Sequence, residues 1–199
     1  MICSHFGECA GCNEGLSLKP PPIWEEVLSF FSPFPLIHFH TGYPLYWRHR
    51  AKVAVRGTSS GPLVGLFKRA SHDVCPIPNC LVHHPNLNLA FEIVRKWIQK
   101  NGILPYNEMG GKGDLRYLQG VVQRNTGRVQ LSLVFNCSVS NKNKRDLWLS
   151  LIKQLRENDT SLWHSLWINF NDQATNVIFG SEWLLVWGEE FLWETFEGV

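Results

Sequence analysis

Leu45-Tyr46-Trp47-Arg48-His49-Arg50-Ala51-Lys52-Val53-Ala54-Val55-Arg56 is the stretch on which the fold turns. Leu45, Trp47, Ala51, Val53 and Val55 fall on one side of it, and Arg48, Arg50, Lys52 and Arg56 on the other. A period of two belongs to a strand, so the spacing predicts an apolar face turned to a core and a basic stripe turned away from it. Gly57-Thr58-Ser59-Ser60-Gly61 reads as a turn into a second strand from Leu63 to Lys68. The pair is expected to form an antiparallel hairpin with one basic face.

Working outward, Ser71 to Cys80 reads as an irregular loop stiffened by Pro76 and Pro78. Asn88 to Lys100 has helical spacing, with Leu89, Phe91, Ile93, Val94, Trp97 and Ile98 available for burial and Gly102 as terminator. Leu115 to Gln123 and Val129 to Phe135 flank the turn signal Asn125-Thr126-Gly127 and predict a second hairpin. Asp146 is suited to open a helix running to Arg156. Leu162 to Phe170, Asn176 to Phe179 and Trp183 to Trp187 read as strands. Towards the N-terminus, Ile23 to Phe31 reads as a short amphipathic helix that follows Lys19-Pro20-Pro21-Pro22 and is stopped by Pro33 and Pro35. The predicted class is α+β, an antiparallel hairpin-built sheet with two or three helices. No internal repeat or low-complexity tract occurs, and Met109-Gly110-Gly111-Lys112-Gly113 lacks the flanking strand and helix of a nucleotide loop.

A chain of 199 residues with ordinary apolar content can bury a core. It contains no uncharged apolar run of about 18 residues, so no membrane span is expected. It also lacks a secretory signal pattern, which makes the cytoplasm the default compartment. The net charge of +2 conceals an asymmetry. Tyr43 to Ser71 holds Arg48, Arg50, Lys52, Arg56, Lys68 and Arg69 with no acid, whereas Ser181 to Val199 holds Glu182, Glu189, Glu190, Glu194 and Glu197 with no base. A local basic field within a near-neutral total points to a polyanionic partner for one face.

Cys3, Cys9 and Cys12 stand within one glycine-containing decapeptide, with Cys75 and Cys80 as candidates for a fourth thiol. Clustered thiolates repel one another unless a cation neutralises them, so the trio points to a metal site in a reducing compartment, zinc and iron-sulfur both being open. Cys137, and whichever of Cys75 and Cys80 is not a ligand, read as small packing residues. His5, His72, His83 and His84 read as hydrogen-bonding neighbours of such a loop.

Cys-x5-Cys-x2-Cys, Trp47-Arg48-His49-Arg50-Ala51-Lys52-Val53 and Gly65-Leu66-Phe67-Lys68-Arg69 leading to Cys80 resemble the iron-sulfur branch of the RNA uracil-5-methyltransferases. Gly102 to Asn107, Gly113 to Leu118, Asn125-Thr126-Gly127 and Thr175 to Gly180 fit the same family in the same order. The likeness covers nearly the whole chain and is strongest to bacterial 23S ribosomal RNA enzymes without an N-terminal TRAM domain. The resemblance implies a 4Fe-4S cluster held by Cys3, Cys9, Cys12 and Cys80. It further implies methyl transfer from S-adenosylmethionine to uracil C5 by a C-terminal Rossmann-like domain, to which nothing in this chain corresponds. Cys137 does not match the family's nucleophile, and no activated thiolate with a base is evident, so no catalytic residue is assigned.

The expectation is therefore the N-terminal and central portion of a 23S rRNA uracil-5-methyltransferase that binds RNA without catalysing alone, either as part of a longer enzyme or beside a separate catalytic chain. Residues 1–42 would form the cysteine loop and a helix packing on the catalytic domain; residues 43–199 would form the cluster- and RNA-binding domain. Arg48, Arg50, Lys52 and Arg56 are expected to meet phosphates, with Lys112 and Arg116 as further backbone contacts. Tyr46 and Tyr117 are candidates to stack bases, while Trp47 is placed on the core side. Trp163, Trp167, Trp183, Trp187 and Trp193 read as core or domain interface, and the acidic C-terminal stretch as a face turned from RNA. The alternative is a non-catalytic zinc or iron-sulfur RNA-binding module, and a third reading is a partner-binding protein.

Overall fold

The computed structural model describes residues 3–12, 19–34, 36–158 and 160–195. Pro35 and Glu197, assigned above to a helix stop and an acidic face, lie outside the described residues. The elements run α1 (Trp24–Phe30), β1 (Arg50–Gly57), β2 (Pro62–Phe67), β3 (Val74–Pro76), α2 (Pro85–Asn101), β4 (Leu115–Val122), β5 (Val129–Phe135), α3 (Lys142–Asn158), β6 (Trp163–Phe170) and β7 (Glu182–Gly188). The seven strands form one sheet in the order β3-β2-β1-β4-β5-β6-β7.

The class is α+β, but the sheet is mixed rather than antiparallel throughout. β5 and β6 pair in parallel, with Leu131 opposite Leu166 and Leu133 opposite Ile168. Two parallel neighbours cannot be joined by a hairpin, and α3 supplies the crossover. Reading β6 as one more hairpin strand missed this, because the strand pattern itself carries no sign of its neighbour's direction.

One sheet face is covered by helices. Val53, Val55, Leu118, Leu131, Leu133 and Leu166 meet Leu87, Phe91 and Val94 of α2 and Leu151, Ile152 and Leu155 of α3 in a single core. Trp163, fully buried, donates its Nε1 to the Leu155 carbonyl at 2.8 Å and so ties β6 to α3. A buried indole gains from its area only when its N–H finds an acceptor, as here. The opposite face carries a smaller cluster of Ala54, Val74, Tyr117 and Val134, with Phe67, Ile178 and Phe179 against it.

Helix boundaries follow local chemistry. α2 begins three residues before the sequence reading, at Pro85, where a missing N–H costs nothing, and His84 Nδ1 accepts from the Asn86 amide at 3.2 Å. It ends as expected at Gly102, in the left-handed region at φ 64°. α3 starts at Lys142 rather than Asp146, and Asn141 Oδ1 accepts from the Lys144 amide at 3.3 Å. Asn141, and not Asp146, is thus the capping residue of α3.

Three other expectations change. Residues 176–179 form no strand, β3 is a short strand within the loop expected to be irregular, and strand geometry begins at Arg50 rather than Leu45. Trp47 is 53% exposed and not a core residue. α1 lies where the helical spacing placed it, yet none of its residues is buried.

Candidate cysteine centre and basic sheet face

The cysteine loop docks on the end of β2. Cys9 bridges Lys68, the Ala10 amide donates to the Phe67 carbonyl at 3.3 Å, and Arg69 Nη2 donates to the Cys12 carbonyl at 2.7 Å. From the other side, residues 80–84 lie beside residues 46–48. The Tyr46 amide donates to Leu81 O at 2.9 Å, the Arg48 amide to Val82 O at 2.8 Å, and the His84 amide to Arg48 O at 2.9 Å. These backbone bonds bring Cys80 to the loop across a separation that no local motif spans.

Cys3, Cys9, Cys12 and Cys80 line one small cavity of about 20 Å³ with His5, Arg48, Leu66 and Val82 among its walls. All six cysteines are free thiols. Burial pushes the Cys9 thiol up, opposed by the Gly11 amide, which donates to its Sγ at 3.3 Å; Cys80 and Cys3 push it further up and Arg48 draws it down. Cys12 is raised by burial and drawn down by Arg48. Cys80 is likewise raised by burial, while the neighbouring Val82 and His83 backbone amides draw it down. Arg48 Nη2 also donates to the Gly11 carbonyl at 3.4 Å. The centre is thus a set of four thiols with amide donors and one guanidinium aimed at it.

Among the described residues, no three His, Cys, Asp or Glu side chains are drawn together closely enough to hold a single metal ion. Cys75 does not line the cavity; it is buried in β3 with its thiol raised by burial. Cys137 is buried far along the chain and is likewise raised by burial. Of the histidines, His5 lines the cavity and His72 pairs with Glu108 at 3.0 Å. His83 sits against Asn88 Oδ1 at 3.2 Å, its pKa lowered by burial to about 4. The His84 ring caps α2.

The basic residues do not form one stripe. Arg48 belongs to the cysteine cavity. Arg50 is exposed and donates to Gln119 Oε1 at 3.2 Å, Lys52 is exposed with its Nζ 4.8 Å from the Phe179 ring centroid, and Lys112 is exposed in the turn after Tyr106. Arg56 corrects the alternation reading and Arg116 the expectation of an RNA backbone contact, because both are buried, at 8% and 2% exposure. Arg56 donates to the carbonyls of Val55 and Arg116, both at 2.9 Å, to Tyr117 Oη at 3.0 Å and to Glu108. Arg116 donates to the carbonyls of Asn171 at 2.8 Å, Gln173 at 2.7 Å and Thr175 at 3.2 Å. Residues 104–114 and 171–181 cover this end of the face, so charge on an alternating strand became interior scaffolding. Tyr117, a stacking candidate, is buried beneath Arg56, while Tyr46 remains 43% exposed.

Nothing in local patterning signalled Phe179 beside Lys52. Phe179 and Trp183 lie 4.9 Å apart between ring centroids, and Trp183 and Trp167 lie 6.4 Å apart.

The chain is 46% identical over its whole length to a protein of Protochlamydia amoebophila named as an uncharacterized RNA methyltransferase, of which it covers 52%. It is 30% identical, over 99% of its length, to a protein so named from Listeria monocytogenes, covering 44% of it. A third, from Caldanaerobacter subterraneus, is 25% identical over 94% of the chain and is covered for 42% of its length. The chain therefore spans about half the length of the curated relatives it matches. No protein-family model matches it. In fold it is similar to the Pyrococcus abyssi tRNA (uracil-54, C5)-methyltransferase solved with S-adenosyl-L-homocysteine, with a TM-score of 0.56 at 20% identity over 78% of this chain and 34% of that one. At that identity the likeness concerns the fold alone.

Proposed function

We propose that this chain is the cluster-holding and RNA-binding part of an RNA uracil-5-methyltransferase acting in the cytoplasm on 23S ribosomal RNA. The observation that carries the reading is the gathering of Cys3, Cys9, Cys12 and Cys80, from opposite ends of the first eighty residues, around one cavity with Arg48. Four thiols around one cavity, with no carboxylate among the described residues of its walls, are a donor set that suits a 4Fe-4S cluster, one thiolate for each iron. Amides directed at Cys9 and Cys80, with the Arg48 charge, offset the negative charge such a centre collects. When bound, the cluster supplies a covalent staple between the N-terminal loop and the sheet. The similarity to relatives named as RNA methyltransferases supports the RNA part of the reading.

The chain's own role is to bind and orient RNA. Arg50, Lys52 and Lys112 are the exposed cations of the expected set, and phosphate contact is the role proposed for them. The chemistry of methyl transfer lies outside these residues. Cys137, a possible nucleophile by type alone, is buried with its thiol pushed up, the reverse of activation. S-adenosylmethionine and the catalytic thiolate are then supplied by a Rossmann-like domain, in the same polypeptide or in a separate chain. Residues 1–42 would meet that domain. Ile23, Leu28, Phe30, Phe31 and Phe34 are all exposed around α1, an apolar surface of the kind that marks an interface.

Anaerobically prepared protein is expected to be brown, with a broad visible charge-transfer band and about four irons per chain. Cys80→Ser should abolish the colour and Cys137→Ser should retain it. Colourless protein with one zinc per chain would overturn the cofactor. No methyl transfer to a 23S ribosomal RNA fragment is expected from this chain and S-adenosylmethionine alone; efficient transfer would overturn the division of labour.

A further inference from the structure

Residues 171–181 have no helix or strand, yet buried polar groups hold them throughout. Beyond the three carbonyls taken by Arg116, Asn171 Nδ2 donates to Val177 O at 2.8 Å and Ile178 O at 3.2 Å. Asn169 donates to Gly180 O at 3.0 Å and accepts from the Gly180 amide at 2.8 Å. Gly180 sits so close to β6 that a Cβ there would stand 2.0 Å from the Phe170 carbonyl oxygen. Asn169 and Asn171 are 0% and 3% exposed. Buried polar groups of this kind are costly unless every one is paired, and here their effect is to fix an irregular segment in one conformation.

That segment presents Phe179. Its ring lies beside the exposed Lys52 and beside Trp183, which is 43% exposed. Ala54, Tyr117, Val134, Asn169 and Trp183 follow one another as cross-strand partners, which sets Trp183 on the sheet face that Arg50 and Lys52 share. Neither Arg50 nor Lys52 makes an ion pair with an acid among the described residues, and the partner of Arg50 is the neutral Gln119. Glu182, next to Trp183, pairs with Phe170 of the helix-covered face and so points the other way.

We propose that Phe179 and Trp183 form a stacking platform for unpaired RNA bases, with Lys52 and Arg50 meeting the phosphates that flank the stacked base. The proposal rests on the RNA-binding reading above and adds the form of RNA that the face selects. Aromatic rings stack on any base, but a base within a duplex shows its faces only to its neighbours, so rings beside unpaired cations select single strands and loops. An apolar protein partner would be served by the rings but not by two uncompensated cations beside them.

The test uses the full chain with a short oligouridine, and with an RNA duplex of equal length, by fluorescence anisotropy at fixed salt. Phe179→Leu and Trp183→Leu should each weaken oligouridine binding about tenfold. Duplex binding should change less than twofold, and Phe179→Tyr should restore affinity because it restores the ring. Oligouridine should also quench tryptophan fluorescence in the wild type and quench it less in Trp183→Leu. If Lys52→Gln weakens binding while the ring variants do not, the platform is overturned and the RNA-binding reading stands. Ring variants that change self-association but not RNA affinity overturn it in favour of a protein interface. Wild-type protein that binds neither RNA overturns both.

Discussion

Arg56 and Arg116 stack on the same ring: their guanidinium carbons lie 5.4 and 4.3 Å from the centroid of Tyr106. Alternation placed Arg56 towards solvent and Arg116 was expected to meet RNA, yet both are interior ties, one to Glu108 and Tyr117, the other to residues 171–175. Two cations are tolerated at this site because aromatic faces, carbonyls and one carboxylate surround them.

Replacing Arg116 by Met should destabilise the chain by roughly 2 to 4 kcal/mol, since buried carbonyls lose their donors. Urea unfolding measures the loss. Near-ultraviolet dichroism of the Phe179 and Trp183 region should weaken in the same variant, because the segment that carries Phe179 loses its anchor.

Glu108 gives a pH dependence. Partial burial works to raise its carboxyl, but the hydrogen bond and charge of Arg56, with a smaller effect of His72, hold it below the usual carboxylate range. A pKa depressed in the folded state gives stability that is complete above the unfolded value, about 4.3, and lost as pH falls through the folded one. Glu108→Gln should therefore cost about 1.5 kcal/mol at neutral pH. The gap from wild type should close in acid, as read by urea midpoints across that range.

Arg48 is expected to protect the cysteine centre rather than to bind RNA. Arg48→Met removes the donor to the Gly11 carbonyl and the positive charge beside Cys9 and Cys12. Loss of the visible band to an iron chelator should become several times faster, with RNA affinity changed less than twofold.

Salt dependence separates surface cations from buried ones. Each of Arg50→Ala, Lys52→Ala and Lys112→Ala should lower the slope of log affinity against log salt by about 1 if it removes one phosphate contact. Conservative changes at Arg56 should lower stability and leave that slope unchanged.

Short-range chemistry was legible from the chain. The β1–β2 hairpin, the β4–β5 hairpin around Asn125-Thr126-Gly127, and α2 with Gly102 as its stop each depend on residues a few positions apart, and each is present, although β1 begins at Arg50 and α2 at Pro85. α3 was found with its start misplaced, because Asp146 and Asn141 are both capping types and only the hydrogen bond chooses between them.

What the residue order by itself determined is the local period of each element and the proximity of Cys3, Cys9 and Cys12, because steric preference and turn chemistry act over a few residues. Tertiary structure decided which strand lies beside which, that β6 runs parallel to β5, that Cys80 rather than Cys75 faces the trio, and that Arg56 and Arg116 are interior. The burial of Arg56 and Arg116 depends on segments 104–114 and 171–181 folding over a sheet face. A period of two says only that side chains alternate, and what covers each side is set by contacts distant in the chain.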